Sequence, residues 1–312
     1  MHGNELERSK KRMSQGFKLF LITVPFLVIY FLFSYLPLEG WKYAFFNYKP
    51  GYQLSDCEYV GLKHIISMFT DPYLRKETAR VLRNTFVMSG MNIVTSFLPM
   101  FFAIALSELP GKRYKKFVQT VTTVPNFVSW VLVYAFATAL LATENGIVNV
   151  LLRKVGIIDR GINFLANSDA KAWLVMWLVS TWKTLGWSAV IYLSSINSID
   201  QQLYEAADVD GASRLDKIIH VTIPGLMPTF ITLLILSIGS FLSNGMEQYF
   251  VFQNAFNKGR IEVLDLFVYN QGFGQKAISY STAVSMLKSL VGIVLVGIAN
   301  ELSGKVRDEK VF

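Results

Sequence analysis

Long apolar runs constrain this chain more than any other feature of its sequence. A helix that crosses a bilayer needs about 20 consecutive, mostly apolar residues. Runs of that length lie at about 17–37, 85–109, 117–141, 172–196, 226–245 and 283–302. None of these runs alternates strictly between polar and apolar residues, as the strands of a membrane β-barrel do. The sequence therefore predicts an all-α integral membrane protein with six transmembrane helices, because a soluble protein rarely buries so many apolar helices.

Composition agrees with this class and excludes several others. Hydrophobic residues make up 52% of the 312 residues and charged residues 17%, whereas an average soluble domain has roughly 25% charged residues. The single cysteine, Cys57, excludes an intramolecular disulfide and a cysteine-based metal site, and the three histidines lie far apart. We therefore expect no metal site and no catalytic residues. The positive-inside bias of membrane proteins explains the net charge of +8 better than nucleic-acid binding does.

Charges near the apolar runs predict the orientation in the membrane. Short cytoplasmic loops carry an excess of Lys and Arg. The cations that follow this rule are Lys112, Arg113, Lys115 and Lys116 in the loop 110–116, Arg8, Lys10, Lys11 and Arg12 in the lead, and Lys305, Arg307 and Lys310 in the tail. Both ends are therefore predicted inside (N-in, C-in), which places the segments 38–84, 142–171 and 246–282 outside.

The predicted spans divide the chain into three parts. Residues 1–84 comprise a basic lead, an anchor helix and an extracytoplasmic segment. The apolar stretch of the anchor is too long for a signal peptide, and no A-x-A cleavage site follows it. Residues 85–302 form a core of five transmembrane helices, and 303–312 form a cytoplasmic tail. The core includes a polar loop, 198–224, on the predicted inner side.

The 198–224 loop is predicted to form two short helices that bend at a glycine. Ser198 or Asp200 can cap the first helix, and Gly211 suits the tight turn that follows it. Residues 214–220 place apolar side chains on one face, which predicts a second, amphipathic helix. Pro224 is expected to end that helix before the fifth span. Taken alone, this pattern also fits a helix pair that rests on lipid headgroups.

The same loop resembles the EAA loop of binding-protein-dependent ABC importer permeases. The family pattern is E-A-A, three residues, G, nine residues and then I-x-L-P. The segment Glu205-Ala206-Ala207 matches it, as does Gly211, and residues 221–224 (VTIP) follow with two conservative replacements. The resemblance covers about residues 82–301. The segments 61–64 (GLKH), 83–85 (RNT) and 35–45 (YLPLEGWKYAF) resemble the carbohydrate-uptake, maltose-type branch and its LplB-like oligosaccharide and polysaccharide subgroup.

This resemblance implies a type I ABC importer permease fold whose cytoplasmic coupling helices dock on an ATPase. The residues that it implies in this contact are Glu205, Ala206, Ala207, Asp210, Gly211 and Pro224. Glu205 would supply the polar contact, and the two alanines would allow a close approach. The chain has no G-x-x-x-x-G-K-[ST] motif. ATP and Mg²⁺ are therefore expected on a separate ATPase subunit, with no cofactor bound by this chain and no enzymatic activity of its own.

The resemblance also implies the role of the chain and its partners. It would be one half of the translocation pathway of an ATP-driven carbohydrate importer, acting on complex oligosaccharides. The implied partners are a second homologous permease (a heterodimer), two cytoplasmic ATPase subunits, an extracytoplasmic solute-binding protein, the carbohydrate and membrane lipid, with no nucleic acid. The implied location is a bacterial cytoplasmic (plasma) membrane that the chain crosses several times.

Polar and aromatic residues in or just after the fourth and fifth spans form the candidate substrate pathway. The candidates are Ser180, Lys183, Thr184, Trp187, Ser237, Ser240, Phe241, Asn244, Glu247 and Gln248. Helical spacing predicts one face on each span, and an aromatic ring beside hydrogen-bonding groups suits a sugar. These positions also fall near the sugar-contacting ones of the maltose-type permease. Serines and small residues inside spans are often only packing contacts, however, which is the alternative interpretation.

Three residues inside the spans call for separate hypotheses. Lys183 stands where an aliphatic residue is usual in the family, and it fits an acidic sugar such as a uronate. It fits equally well an ion pair with Glu247 or with a carboxylate of the partner permease. Lys288 is expected to snorkel or to pair, and Pro125 to kink the third span.

Two other classes of function remain open at this point. An ion-coupled secondary transporter of a small polar solute usually has internal repeats and broken binding helices, and no clear repeat is visible here. An intramembrane enzyme needs a catalytic set, and neither H-E-x-x-H nor G-x-S-x-G occurs in the chain. The permease interpretation is therefore preferred to both.

Overall fold

The computed structural model describes residues 15–307 of the 312. The cations that were used to predict the orientation at the two ends lie outside the residues whose side chains are described: Arg8, Lys10, Lys11, Arg12, Lys305, Arg307 and Lys310.

Within residues 15–307 the chain is helical and forms no β-strand, apart from an isolated antiparallel bridge between Phe46 and Tyr59. The first α-helices are α1 (Gln15–Tyr30), α2 (Lys63–Thr70), α3 (Pro72–Val94), α4 (Leu98–Ser107), α5 (Lys112–Thr123), α6 (Trp130–Leu141), α7 (Ile147–Lys154) and α8 (Lys171–Ser198). The others are α9 (Gln201–Val209), α10 (Arg214–Lys217), α11 (Ile223–Gly239), α12 (Glu247–Phe252), α13 (Lys258–Ile261), α14 (Leu264–Tyr269) and α15 (Ile278–Arg307).

Five of the described helical stretches are long and apolar enough to cross a membrane, or six if a bent pair counts as one span. The five are Leu19–Phe45, Pro72–Ser107, Lys171–Ser198, Arg214–Gly239 and Ile278–Glu301. The first of these stretches continues α1 through a π-turn and a 3₁₀ segment. None of the residues in its most apolar part is buried inside the molecule. The predicted all-helical class is confirmed, and each predicted apolar run corresponds to one of these helical stretches or to the bent pair.

The second span begins 13 residues earlier than the apolar run at 85–109 indicates, because a cap rather than hydropathy sets its start. The Asp71 side chain accepts hydrogen bonds from the backbone N–H groups of Tyr73 and Leu74, both at 2.9 Å. Pro72 occupies the first helical position, where no N–H is needed. The span is also interrupted after Val94 and resumes as α4 at Leu98.

The sequence predicted that Pro125 kinks the third span, but the span is broken there. Residues Lys112–Phe127 and Trp130–Leu141 meet at an angle of 106°. A 3₁₀ turn over Val124–Phe127 contains the proline, and the Ser129 hydroxyl then caps the start of α6. A proline and a new N-cap within five residues leave no continuous hydrogen-bonded path from α5 to α6.

The prediction that Pro224 ends the second loop helix is wrong. The helix runs from Arg214 to Gly239 and passes the proline through a π-turn, Ile218–Thr222. In this wider turn the Ile223 N–H donates to the Ile218 carbonyl, five residues back. Pro224 then falls in the first turn of α11, where a missing N–H costs little. The loop helix and the fifth span are therefore one continuous element.

Helix α8 lies at the centre of the bundle. Its C-terminal residues pack against α4 and α11, and its first turns pack against α6 and α12. Gly186 allows α5 to approach closely, since a Cβ at this position would lie 2.1 Å from the Thr122 carbonyl oxygen. Close backbone approach at small residues is a main source of helix association in lipid, where hydrophobic burial between helices contributes little.

Candidate functional site

A groove opens between α3, α4, α8 and α11. Its volume is about 430 Å³, within the range of about 300–1,000 Å³ that small-molecule sites occupy. The lining residues of this groove are Asn92, Ser96, Pro99, Trp187, Ser188, Ile191, Tyr192, Phe230, Leu233, Leu234, Leu236, Ser237 and Ser240. A second cavity of about 170 Å³ adjoins it and shares Asn92, Ser237 and Ser240. We call the two cavities together the inter-helix groove.

Five of the predicted pathway residues lie on the inter-helix groove. Trp187, Ser237 and Ser240 line its larger part, and Phe241 and Asn244 line the smaller part together with Ser240. The prediction that residues 237–244 share one helical face is wrong, however, because α11 ends at Gly239. Phe241 and Asn244 reach the groove from the turn that follows.

Helix α3 contributes groove residues that the sequence analysis did not identify. Asn244 Nδ2 donates to Ser89 Oγ at 2.9 Å and to the Thr85 carbonyl at 3.4 Å. The Ser89 hydroxyl also donates to the Phe241 carbonyl. Thr85, Ser89, Asn92 and Ser96 recur at intervals of three or four residues inside an apolar run. That polar stripe on one face of a helix was the available signal.

Lys183 does not face the inter-helix groove. Its side chain is buried, and its Nζ donates to the carbonyl oxygens of Pro125 and Asn126 at 3.3 and 2.6 Å. The ammonium also lies 5.3 Å from the centre of the Trp130 ring, in a cation–π contact. No ion pair joins it to Glu247 among the described side chains. Lys183 therefore binds two carbonyls at the break between α5 and α6, and that of Pro125 also accepts the Val128 N–H at 3.2 Å.

Three of the four remaining pathway candidates take part in hydrogen bonds within the bundle. Thr184 Oγ1 donates to the Ser180 carbonyl at 2.9 Å, within α8. Gln248 is buried, and its Nε2 donates to the Met176 carbonyl at 2.7 Å, which fixes α12 to α8. Glu247 is exposed at the start of α12. These four residues do not line the inter-helix groove in the described part of the chain.

Lys288 forms an ion pair, which is one of the two alternatives that the sequence predicted for it. Its ammonium binds the Asp265 carboxylate of α14, and the other carboxylate oxygen accepts the Gly245 N–H at 2.8 Å. Gly245 has a φ of +77°, which favours glycine. This network fixes the turn that carries Phe241 and Asn244 to the smaller part of the groove.

The 198–224 loop projects from the bundle as two short helices joined at Gly211. The Asp200 side chain caps α9 by accepting the Gln202 N–H at 2.9 Å, and Gly211 has a φ of +74°. The Ser213 side chain caps α10 in a reciprocal box with Asp216. The predicted cap, turn and second helix are thus all present.

The exposed surface of this loop carries most of the residues that the EAA pattern singles out. Glu205, Ala206, Asp210, Gly211 and Pro224 are exposed, and Ala207 is half-buried. Apolar side chains beside them are open as well, with Leu203 54% and Val209 88% exposed. An exposed apolar patch with a polar rim is typical of a protein–protein contact site.

Metal chemistry finds no support in the described part of the chain. No group of three or more His, Cys, Asp or Glu side chains there is placed to hold a metal ion.

These features define a class of protein: a multi-helix membrane protein with an inter-helix groove and a projecting two-helix loop that carries an exposed apolar patch. The comparison with known families agrees. Residues 95–308 match the family described as binding-protein-dependent transport system inner membrane component. Because that match covers more than half of the chain, the chain belongs to this family, and the predicted family resemblance is confirmed.

Two similar proteins indicate what kind of transport protein this chain is. The chain is 39% identical to the polygalacturonan/rhamnogalacturonan transport system permease protein YteP of Bacillus subtilis (strain 168), over 94% of this chain and 90% of the relative. It is 36% identical to Protein LplB of the same organism, over 94% and 91% of the two chains. The chain is accordingly a permease subunit of an ABC importer for oligosaccharides.

A solved structure shares the fold over nearly the whole length. The structure is that of a bacterial alginate ABC transporter in complex with alginate pentasaccharide-bound periplasmic protein. It matches with a TM-score of 0.82 and 27% sequence identity, over 98% of this chain and all of the matched chain. The type I permease architecture implied by the EAA pattern is therefore supported by the fold as well as by the sequence.

Proposed function

We propose that this chain forms one half of a transmembrane pathway for complex, acidic oligosaccharides and takes its energy from a separate ATPase through the 198–224 loop. The observation that carries the proposal is the exposed EAA surface on a loop whose second helix continues directly into α11. Helix α11 in turn brings Ser237 and Ser240 to the inter-helix groove. The helix that begins after the Gly211 turn thus leads from the predicted ATPase contact towards the predicted pathway.

The inter-helix groove suits a sugar. Trp187 is 49% exposed and offers an apolar ring face, while Ser237, Ser240 and Asn92 supply hydroxyl and amide groups beside it. Sugar rings have an apolar face and a rim of hydroxyls, so both kinds of contact are needed. We assign the sugar contacts to these residues, together with Asn244, and not to Lys183, whose ammonium is occupied by two carbonyls and a ring.

The relatives support an acidic substrate. One is named for polygalacturonan and rhamnogalacturonan transport, and another structural neighbour is involved in the import of the acidic polysaccharide alginate. Uronate-containing oligosaccharides are accordingly our proposed substrate class for this chain.

The proposed topology has six spans with both ends inside, and α5 and α6 together form the third, broken span. This arrangement places the 198–224 loop and the cationic loop at 110–116 on the cytoplasmic side of a bacterial plasma membrane. The proposed partners are a second, homologous permease, two ATPase subunits and an extracytoplasmic binding protein. ATP and Mg²⁺ would be bound by the ATPase subunits, and this chain would have no catalytic role.

Copurification tests this proposal. The tagged chain, extracted with its partner subunits in a mild detergent, should bring the ATPase with it in stoichiometric amount. Glu205→Lys should abolish the association, because it reverses the charge at the centre of the exposed EAA surface. Gln201→Lys, an equally exposed change on the same helix, should leave it intact. Loss of the ATPase in both variants, or in neither, would contradict the assignment of the contact to Glu205.

A further inference from the structure

We infer that the hydrogen bond between the Tyr204 and Thr222 hydroxyls is the element that makes the docking helix α9 and the pathway helix α11 move together. The inference rests on the proposed function, since it assigns one step of its energy coupling to two named side chains. The two hydroxyl oxygens lie 3.0 Å apart, across 18 residues of sequence.

Few polar contacts join α9 to the segment that follows Gly211. Among the described side chains, two hydrogen bonds do so: Tyr204 to Thr222, and Lys217 Nζ to Asp208 Oδ1 at 2.7 Å. The Asp208 side chain is 62% exposed, and exposed ion pairs of this kind contribute little rigidity. Thr222, by contrast, is only 4% exposed, and its hydrogen bond with Tyr204 is partly buried.

The main chain between α9 and α11 is poorly suited to transmit a movement by itself. It passes first through the turn at Gly211, whose φ of +74° leaves a single pivot residue without a side chain. It then passes through the π-turn Ile218–Thr222 and the proline that follows it. Bends in helices concentrate at prolines and π-turns, and across the glycine turn the Ala212 N–H donates to the Ala207 carbonyl at 2.9 Å. A side-chain connection between α9 and the start of α11 would add to the transmission of a displacement of α9.

The Tyr204–Thr222 hydrogen bond bypasses the Gly211 turn and reaches the last residue of the π-turn. Tyr204 lies in the middle of α9, beside Glu205 of the exposed EAA surface, and Thr222 directly precedes α11. Helix α11 contains Pro228 and runs to Gly239, just before Ser240 of the inter-helix groove. The two hydroxyls thus connect the docking surface to the helix that leads to the pathway.

Removal of either hydroxyl at nearly constant shape tests this inference. Tyr204→Phe and Thr222→Val each delete one partner, and the assembled complex in proteoliposomes with its binding protein is the sample. ATP hydrolysis and uptake of a labelled uronate oligosaccharide are measured together. Both variants should copurify with the ATPase and hydrolyse ATP, but the sugar imported per ATP should fall about fivefold, the factor that one net hydrogen bond represents.

Two further variants sharpen the result. Tyr204→Phe combined with Thr222→Val should be no worse than either single change, since both remove the same interaction. Lys217→Met breaks the exposed pair with Asp208 and should leave the sugar imported per ATP unchanged. An additive double variant, or an equal defect in Lys217→Met, would overturn the inference.

The remaining outcomes are equally decisive. An unchanged ratio of sugar to ATP in Tyr204→Phe and Thr222→Val would overturn the inference while leaving the proposed function intact. Loss of the ATPase from both variants would place the defect in docking or folding and would also overturn it. If the unmodified complex neither binds an ATPase nor imports a sugar, the proposed function itself fails, and that result is visible before any variant is made.

Discussion

Two residues of α8, Gly186 and Lys183, determine how the broken third span lies against the centre of the bundle. Gly186 lets the backbone of α5 come into direct contact, and one turn away Lys183 binds the carbonyls of Pro125 and Asn126. Beside them the rings of Trp187 and Phe127 pack edge to face, with centres 5.5 Å apart. Lys183 thus binds the broken third span, although the sequence predicted that it faces the substrate. Trp187 of the same predicted face also lines the inter-helix groove.

Gly186→Ala should destabilise the protein by about 1–3 kcal/mol, because the added methyl would overlap the Thr122 carbonyl and force the helices apart. The midpoint of thermal unfolding in detergent measures this effect. Gly90→Ala is the matched control, since a Cβ there meets nothing within 4 Å. It should be neutral or slightly stabilising, as helix propensity favours alanine. Equal effects of the two changes would contradict the close contact of α5 and α8.

Lys183→Met should cost about 1–3 kcal/mol of stability, since it removes the hydrogen bond to the Asn126 carbonyl and the cation–π contact with Trp130. It should also reduce the uptake of neutral and acidic oligosaccharides to the same extent, because Lys183 positions a helix break and does not contact the sugar. Glu247→Gln should not reproduce the stability loss. A selective loss of acidic substrates in Lys183→Met would instead restore the uronate contact that its position in the sequence suggested.

At the scale of elements, short polar segments set the course of the apolar helices. The cap at Asp71, the cap at Ser129 and the π-turn before Pro224 each change where a span begins or how it continues. The 198–224 loop depends on one further element, the left-handed turn at Gly211, which joins α9 to α10 at a positive φ.

Gly211→Val should therefore weaken the association with the ATPase while the chain still inserts into the membrane. A β-branched residue at a φ of +74° costs on the order of 1–3 kcal/mol in backbone strain, although nothing blocks the space for its side chain. Gly211→Asn tolerates that conformation better and should lose less. Quantitative copurification with the ATPase compares the three proteins, and equal retention in all of them would show that the turn geometry is unimportant.

A large side chain placed in the inter-helix groove at the end of α11 should block the passage of the sugar. Ser240→Trp fills the junction of the two cavities and should reduce sugar uptake at least about tenfold, by steric exclusion of the substrate, with ATPase association preserved. Thr232→Trp is the control, because Thr232 lies on the same helix but does not line the groove. A similar loss of uptake in both variants would contradict the assignment of the groove as the pathway.

On the scale of the whole molecule, the fold class, the position of the spans and the 198–224 loop were accessible from the sequence. Apolar run length and the E-A-A…G…P spacing are local patterns, and each has a direct physical cause in lipid thickness or turn geometry. The sequence therefore predicted the Asp200 cap, the Gly211 turn and the family correctly.

Properties that depend on contacts between distant residues could not be predicted from the sequence. The sequence shows neither the 106° angle of the break nor the binding of the Pro125 carbonyl by a lysine 58 residues away, and the groove needs a polar stripe on α3 that the sequence analysis did not identify. Gln248 is fixed to Met176, a contact that periodicity alone does not reveal. Helical spacing assigns residues to a face, but it does not tell which neighbour that face meets.

ATP hydrolysis by the complete assembly in proteoliposomes tests directly whether a separate ATPase drives the import of uronate oligosaccharides through this chain. It should be recorded without binding protein, with unloaded binding protein, and with binding protein loaded from a panel of neutral and uronate oligosaccharides. Loaded binding protein should stimulate hydrolysis, and uronate oligosaccharides should stimulate it most. Hydrolysis that no sugar stimulates, in an assembly that contains the ATPase and the binding protein, would contradict this expectation.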